Sequence, residues 1–172
     1  MRNLVLSVIG DDRPGLVSAL ADAVAANGGN WERSQLAQLA GKFAGIVVVA
    51  VPEQSADALV AAVTGLDGLL EVAVHSASGA PDRDDSWTQL SINVLGTDRE
   101  GIVHELSAAL GRNGVTIEAM TTGTREAPMA GGLLFEAELQ VLVPPTADPA
   151  DIRADLERIA AELLVDLGFD EI

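Results

Sequence analysis

The stretch Val8-Ile9-Gly10-Asp11-Asp12-Arg13-Pro14-Gly15-Leu16-Val17 returns 86 positions later as Val94-Leu95-Gly96-Thr97-Asp98-Arg99-Glu100-Gly101-Ile102-Val103. At this offset, 12 of the 29 residue pairs that start at positions 4 to 32 are identical. Average residue frequencies would give about two identities by chance. The chain is therefore an internal duplication, and each copy takes up roughly half of its 172 residues.

The identical pairs fall into two groups. Apolar pairs, such as Leu4 with Leu90, indicate only that the two halves share a core pattern. Four of the six identical glycine and charged pairs fall on one loop, namely Gly10/Gly96, Asp12/Asp98, Arg13/Arg99 and Gly15/Gly101. Because a shared core does not by itself require the same charged residues in a loop, this loop is where we look for function.

Each half predicts the element order β-α-β-β-α-β. In the first half, apolar and β-branched runs predict strands at 4–9, 31–38, 43–51 and 69–75, with helices after Gly15 and after Ser55. In the second half the strands are predicted at 90–95, 115–124, 133–143 and 165–170. The predicted fold class is α+β: two ferredoxin-like βαββαβ units in tandem, each an antiparallel sheet with helices on one face.

A segment rich in Ser, Gly, Pro and Asp separates the two halves. It predicts a first domain at 1–76, a linker at 77–87 and a second domain at 88–172. Each half is close to the lower size limit for an independent core, so we expect the halves to share buried surface. The second half has a longer segment, 125–132, where the first half has a short turn, and this predicts an extended hairpin loop.

Local signals predict how the helices begin and end. Asp12 is a good N-cap candidate, and Pro14 suits the first helical turn, where a missing N–H has no consequence. Ser55 and Asp148-Pro149 are the corresponding signals for later helices. Asn27-Gly28 is a typical helix end.

Composition excludes several classes of function. The net charge is −16 and no basic run is present, which argues against direct nucleic-acid binding. The absence of cysteine excludes disulfides, thiolate metal sites and cysteine catalysis. No apolar stretch is long enough to span a membrane and no leader pattern precedes the first strand, so we expect a cytoplasmic protein without membrane contact. The hydrophobic share of 48% favours a homo-oligomer.

No catalytic, cofactor or metal motif is found. The two histidines, His75 and His104, lack metal-ligand spacing, and we expect them to be solvated or core residues. There is no nucleophile motif or phosphate-binding loop, and the two βαββαβ patterns use up the chain. We therefore expect no enzymatic activity, no catalytic residue and no cofactor.

The repeated stretch resembles a known family. Gly10-Asp11-Asp12-Arg13-Pro14-Gly15-Leu16-Val17 and its copy are similar to the strand-to-helix signature of ACT domains. A tandem pair with little else resembles the glycine cleavage system transcriptional repressor group. The second copy departs from the motif, because Glu100 stands where the first copy has Pro14, and this puts the second site in doubt.

The resemblance implies a regulatory module that binds a small ligand, often an amino acid, at interfaces between paired domains. It implies that the first loop and the start of the second strand provide the contacts. It also implies action through a protein partner, such as a separate transcription factor, without direct DNA binding. The acidic composition fits this division of roles.

The chemistry of the loop suits a zwitterion. A helix N-terminus offers unpaired amides and partial positive charge for a carboxylate, and Asp11 or Asp12 could accept the ammonium group. Asn30, at the start of the second strand, offers both a donor and an acceptor. The full set of candidate ligand-binding residues is Asp11, Asp12, Arg13, Pro14, Gly15, Leu16, Val17, Asn30, Thr97, Asp98, Arg99, Gly101, Ile102, Val103 and Thr116.

Structural roles compete with ligand roles at these positions. Asp12 and Asp98 are also what any helix start would use, and Gly10 and Gly96 are what a tight turn would use. Arg13 and Arg99 are expected either to bind ligand or to form a salt bridge with an acid at an interface, such as Glu32 or Glu118. Trp31 is expected at a domain interface or lining a pocket. The alternative function is a ligand-independent protein interaction module.

Overall fold

The computed structural model describes residues 1–66, 68–77, 86–127 and 131–171. The chain divides into two compact units, Met1–Ala80 and Pro81–Ile172. Most of the segment predicted as a linker, 77–87, lies outside the described residues, as does Pro128 of the predicted long loop.

The first unit has the predicted order of elements. They are β1 (Arg2–Asp11), α1 (Leu16–Ala26), β2 (Asn30–Leu39), β3 (Lys42–Val51), a short 3-10 turn (Glu53–Ser55), α2 (Ala56–Thr64) and β4 (Glu71–Ser76). The second unit repeats it with β5 (Thr88–Thr97), α3 (Ile102–Arg112), β6 (Thr116–Glu126), β7 (Leu133–Val143), α4 (Pro149–Leu163) and β8 (Val165–Glu171).

Each unit contains one four-stranded sheet. The strand order is β2-β3-β1-β4 in the first unit and β6-β7-β5-β8 in the second, and the pairings are antiparallel. The two central strands are β1 and β3 in the first sheet and β5 and β7 in the second. This arrangement confirms the predicted α+β fold of two ferredoxin-like units.

Alternation along the strands separates a covered face from an open face. In β1 the buried side chains are Leu4, Leu6 and Val8, which alternate with more exposed residues. They pack with alternate residues of β3 and with one side of each helix, and the core of the first unit also includes Val47, Val49, Val51, Leu16, Leu20, Val24, Leu59 and Val63. The helices therefore cover one face of the sheet and leave the other open.

The second core follows the same plan, with a longer last helix. The apolar residues that recur at helical spacing along α4 are all buried, namely Ile152, Leu156, Ile159 and Leu163. Asp148 caps this helix as predicted, because its carboxylate accepts the Ala150 N–H at 2.8 Å. Ser55 occupies the cap position of α2 but makes no side-chain capping hydrogen bond, so that prediction was wrong.

The hairpins differ between the units. In the first unit, Ala40 and Gly41 connect β2 to β3 with φ of 51° and 77°, values typical of a tight hairpin turn whose twist matches the strands. In the second unit, residues 127–132 make the connection, in agreement with the longer loop predicted there.

The second strand of each sheet contains a bulge at the same place. The pairing register of β2 with β3 shifts between Trp31 and Arg33, and that of β6 with β7 shifts between Ile117 and Ala119. The extra residue is Glu32 in the first unit and Glu118 in the second. The identical glutamates of the two halves therefore lie at the same β-bulge. Trp31 is partly buried and packs against the core of its own unit, and its role at an interface or in a pocket stays a prediction.

Candidate functional site

The repeated loop joins the end of the first strand to the first helix and lies beside the hairpin. In the first unit the Asp12 N–H donates to the Gly41 carbonyl at 2.9 Å. In the second unit the Asp98 N–H donates to the Leu133 carbonyl at 2.8 Å. These bonds extend each central strand pairing by one step and fix the loop at the same end of the sheet as the hairpin.

A glycine, not the predicted aspartate, stands at the start of each helix. Gly15 is the N-cap of α1 with φ of 95°, and Gly101 is the N-cap of α3 with φ of 94°. Neither helix has a side-chain capping hydrogen bond, so Asp12 and Asp98 are not caps. Pro14 precedes the cap and lies outside the first turn. The cause is the left-handed glycine, which turns the chain into the helix after the aspartate has passed.

The absence of a side-chain cap leaves amides at each helix N-terminus without a partner inside the helix. The first intrahelical bond of α1 runs from the Ala19 N–H to the Gly15 carbonyl at 2.9 Å. The amides of Leu16, Val17 and Ser18 precede it and have no acceptor one turn back. The helix dipole adds partial positive charge at this point. Both features suit an anionic group.

The two helix N-termini differ in their surrounding charge. The first turn of α1 contains no acidic residue, whereas that of α3 contains Glu105. Glu100 also precedes α3, in place of Pro14. A carboxylate ligand is therefore repelled less at the first loop than at the second.

Space is available beside each cap glycine. A Cβ built on Gly101 would meet no heavy atom within 4 Å, and one on Gly15 would meet only the Ser18 Oγ at 3.9 Å. These glycines are required by their positive φ and not by crowding. A ligand can therefore approach the backbone there.

Gly10 and Gly96 have a different role from the one predicted. They lie within β1 and β5, not in a tight turn. A Cβ on Gly10 would lie 2.5 Å from the Leu69 carbonyl oxygen, and a Cβ on Gly96 would lie 2.5 Å from Val165 Cγ1. The absence of a side chain at both positions allows the last strand of each unit to approach closely.

The two arginines of the loop bind main-chain carbonyls. Arg13 donates to the Gly68 carbonyl, after α2, and Arg99 donates to the Glu162 carbonyl at 2.8 Å, at the end of α4. A cation is electrostatically favourable at a helix C-terminus. Neither arginine can pair with the glutamate at position 32 or 118 of its own unit, because the bulges that carry these acids lie near the opposite end of the sheet. A salt bridge to such an acid across an interface stays a prediction.

An ion pair connects the first loop to the hairpin. The Lys42 Nζ donates to the Asp11 carboxylate, and both side chains are exposed. This hydrogen bond and the lysine charge lower the pKa of Asp11 below its ordinary value of 3.8. The same interactions raise the pKa of Lys42 above 10.5. In the second unit Thr97 lies opposite Leu134, so this ion pair is absent there while the net charge at the position is unchanged.

Asn30 and Thr116 do not meet the loop of their own unit. Asn30 pairs with Ala50 near the far end of β3, whereas the loop follows Asp11, which pairs with Lys42. Eight residues along a strand at about 3.3 Å each separate the two positions by roughly 26 Å. Thr116 pairs with Leu142 and is displaced in the same way.

The remaining candidates divide by exposure. Leu16 and Ile102 are buried in the cores, so only their amides are available to a ligand. The side chains of Val17 and Val103 are partly exposed beside the loop. Residues 11–15 and 97–101 are exposed.

Sequence reasoning missed the residues that surround the loop from other elements. Gly41 and Lys42 come from the hairpin, and Gly68 and Leu69 come from the turn before β4. Only the strand order, with β1 between β3 and β4, brings both segments next to the loop. The order typical of the ferredoxin-like fold was the one signal that could have indicated them.

Among the described residues no group of three His, Asp or Glu side chains is placed to hold a metal ion. His75 and His104 are both exposed. None of the described helices has the length and apolar character needed to cross a bilayer.

Comparison with known proteins agrees with the fold and the repeat. The family model of the ACT domain matches the chain twice, at residues 2–75 and 88–170. No curated protein sequence matches the chain significantly.

Two solved structures match over nearly the full length. A protein of unknown function from Galdieria sulphuraria is 30% identical, with a TM-score of 0.89 and coverage of 99% of this chain and 98% of that one. A protein provisionally assigned as a glycine cleavage system transcriptional repressor is 14% identical, with a TM-score of 0.74 and coverage of 99% and 97%. At 14% identity the second likeness concerns the fold alone.

Proposed function

The chain belongs to the ACT domain family, with one domain in each half, and we propose that it is a regulatory protein that binds an amino acid and acts through a protein partner. The observation that carries this proposal is the N-terminus of α1. Its amides have no side-chain cap, an exposed left-handed glycine leaves room beside them, and its first turn contains no acid.

The ligand groups follow from this geometry. The amides of Leu16, Val17 and Ser18 would hold the carboxylate, because they carry partial positive charge and have no acceptor in the helix. Asp12 would accept the ammonium group, since its main chain is fixed by Gly41 and its side chain is exposed. Asp11 is the weaker candidate because it already binds Lys42.

Asn30 and Thr116 enter the proposal differently. Neither residue can contact a ligand held at the loop of its own unit. The family resemblance implies ligands at interfaces between paired domains, so each would serve the loop of a different domain. The side chains of Arg13 and Arg99 act as supports, because they tie the loop to the end of the second helix.

We infer that the first loop binds more tightly than the second. Glu100 and Glu105 make the second helix N-terminus more negative than the first, where Pro14 and Ala19 stand at the equivalent positions. A ligand carboxylate responds directly to that difference.

The partner and the setting rest on the resemblance and on charge. A net charge of −16 disfavours contact with a phosphate backbone, so control of transcription would require a separate DNA-binding protein. We propose action in the cytoplasm, where free amino acids are available, and no catalytic step in the chain itself.

A second candidate function is a ligand-independent interaction module. The observation in its favour is the open face of the first sheet, where Ile9 and Ile46 are about half exposed. On this alternative the repeated loop serves only to connect strand and helix.

The experiment is a thermal-unfolding screen of the full chain with each common amino acid at millimolar concentration. A ligand at 100 times its Kd adds about 2.7 kcal/mol to stability, which raises Tm by several degrees for a chain of this size. We expect a selective rise with one or two amino acids. A flat screen across the panel contradicts the sensor function and favours the interaction module.

The matched variants are Ser18→Asp and His104→Asp, which place an acid in the first turn of α1 and of α3. An acid there favours the helix dipole and repels a ligand carboxylate. We expect Ser18→Asp to keep or raise the Tm of the free protein while weakening ligand affinity about tenfold or more. His104→Asp should leave the first site unchanged. If Ser18→Asp and wild type bind the ligand with equal affinity, the amides of the first turn of α1 do not bind the ligand carboxylate.

A further inference from the structure

The open faces of the two sheets differ in chemistry. In the first unit Ser7 lies opposite Ile46 and Ala73, and Ile9 lies opposite Ala44. We call this surface the first open face, and its central residues are Val5, Ser7, Ile9, Ala44, Ile46, Val48 and Ala73. Ile46 is 51% exposed and Ile9 is 46% exposed. A contiguous apolar surface of this kind is typical of an interaction site.

The corresponding surface of the second unit is acidic. Asn93 takes the position of Ser7 and lies opposite Glu138, which therefore replaces Ile46. Leu95 lies opposite Glu136 and Asp166, and Glu136 replaces Ala44. The duplication has thus kept the fold, and the second open face carries Glu136 and Glu138 where the first has Ala44 and Ile46, with Glu136 paired to Arg125. The difference lies in the surface that each unit presents, since the cores follow one plan.

The shape of the first open face suits packing against the same face of a second copy of the chain. Ile46 stands between two hollows of about 480 and 530 Å³. One is bounded by Arg33 and Val48, and the other by Ile9 and the small residues Ala44 and Ala73. A two-fold rotation places a projecting side chain of each copy against a hollow of the other, as a symmetric interface requires.

The charges on this face also balance. Lys42 pairs with Asp11 at one end. Arg33 is on β2, at one edge of the sheet, and Glu71 is on β4, at the other edge. The two basic side chains offset the two acidic ones, so the first open face is nearly neutral. Elsewhere a chain with a net charge of −16 repels its own copy.

We propose that the first open face is the surface through which two copies of this chain form a symmetric dimer. The occupant is a second copy because the face is nearly neutral in an acidic chain and carries both a projection and hollows. The acidic second open face stays outside this contact, since carboxylates placed against their own symmetry mates repel each other. This dimer is independent of the ligand site.

The test is the molar mass of the full chain in solution, measured by light scattering after size exclusion from micromolar to near-millimolar concentration. Wild type is expected at twice 17.7 kDa. Ile46→Glu gives the first face the chemistry that Glu138 gives the second, and we expect the dimer Kd to rise on the order of 100-fold. The monomer should stay folded by circular dichroism, because Ile46 is already half exposed.

The matched control is Met120→Glu. Met120 is 44% exposed on β6 and lies opposite buried Leu139, so it is off both open faces. It should leave the dimer intact. A monomeric wild type, an unchanged dimer in Ile46→Glu, or equal losses in both variants would overturn the proposal.

Discussion

Single residues in the repeated loop have separate physical reasons for their identity. Gly15 is fixed by a left-handed backbone, Gly10 by a carbonyl where its Cβ would lie, and Arg13 by a carbonyl acceptor beyond α2. Asp12 is the residue left without such a structural reason, since it does not cap the helix. For this reason Asp12 is the acid that we assign to the ligand.

The ion pair at the first loop predicts a measurable pKa. Lys42 donates to Asp11 and lowers its pKa below 3.8. The pair's contribution to stability is therefore present above that value and lost as pH falls through the lower pKa of the folded state. We expect Lys42→Met to return the Asp11 pKa toward 3.8, as followed by its carboxyl carbon in an NMR titration. An Asp11 pKa that does not move on removal of Lys42 contradicts the pair.

The space around two glycines predicts whether alanine there lowers or raises the unfolding free energy. Gly10→Ala forces a methyl group against the Leu69 carbonyl, and we expect a loss of about 1–3 kcal/mol of unfolding free energy. Gly111→Ala is the control, because that helical position is open and alanine favours a helix by about 1 kcal/mol over glycine. Denaturant unfolding measures both. A neutral Gly10→Ala would show that the last strand does not approach so closely.

At the scale of elements, periodicity predicted most of the fold. The apolar and β-branched runs located the strands, and each observed strand covers its predicted range or nearly so. The predicted N-cap residue of the first helix was wrong, since both Asp and Gly are favourable at a cap position. The choice between them depends on the bond from Asp12 to Gly41, which is a tertiary contact.

The same limit applies to the site. Sequence proximity gave the loop, but the placement of Asn30 depends on register along β2 and β3, which puts it at the far end of the sheet. Lys42 and Gly68 reach the loop only through the strand order. No pattern within either segment indicates that contact.

The helix caps give a prediction at this scale. Asp148 accepts the Ala150 N–H, whereas Ser55 makes no such bond. We expect Asp148→Ala to lower the unfolding free energy by about 1 kcal/mol and Ser55→Ala to change it by a few tenths at most. Chemical denaturation of the two variants compares them. Equal losses would mean that Ser55 caps α2 in solution.

At the scale of the whole molecule, duplication has produced two similar folds with different surfaces. The second loop has Glu100 and Glu105 where the first has uncharged residues, and the second open face has Glu138 where the first has Ile46. Both differences add negative charge to the second unit. We therefore assign ligand binding chiefly to the first loop and self-association to the first open face.

The central claim is that the uncapped amides of α1 hold a ligand carboxylate, and amide chemical shifts test it most directly. We would titrate the ¹⁵N-labelled chain with the amino acid that raises Tm in the screen, or with glycine and the rest of the panel if none does. Saturable shifts centred on Leu16, Val17 and Ser18, absent in Ser18→Asp, are the expected result. Shifts centred elsewhere, or no saturable shifts with any amino acid, would contradict the claim.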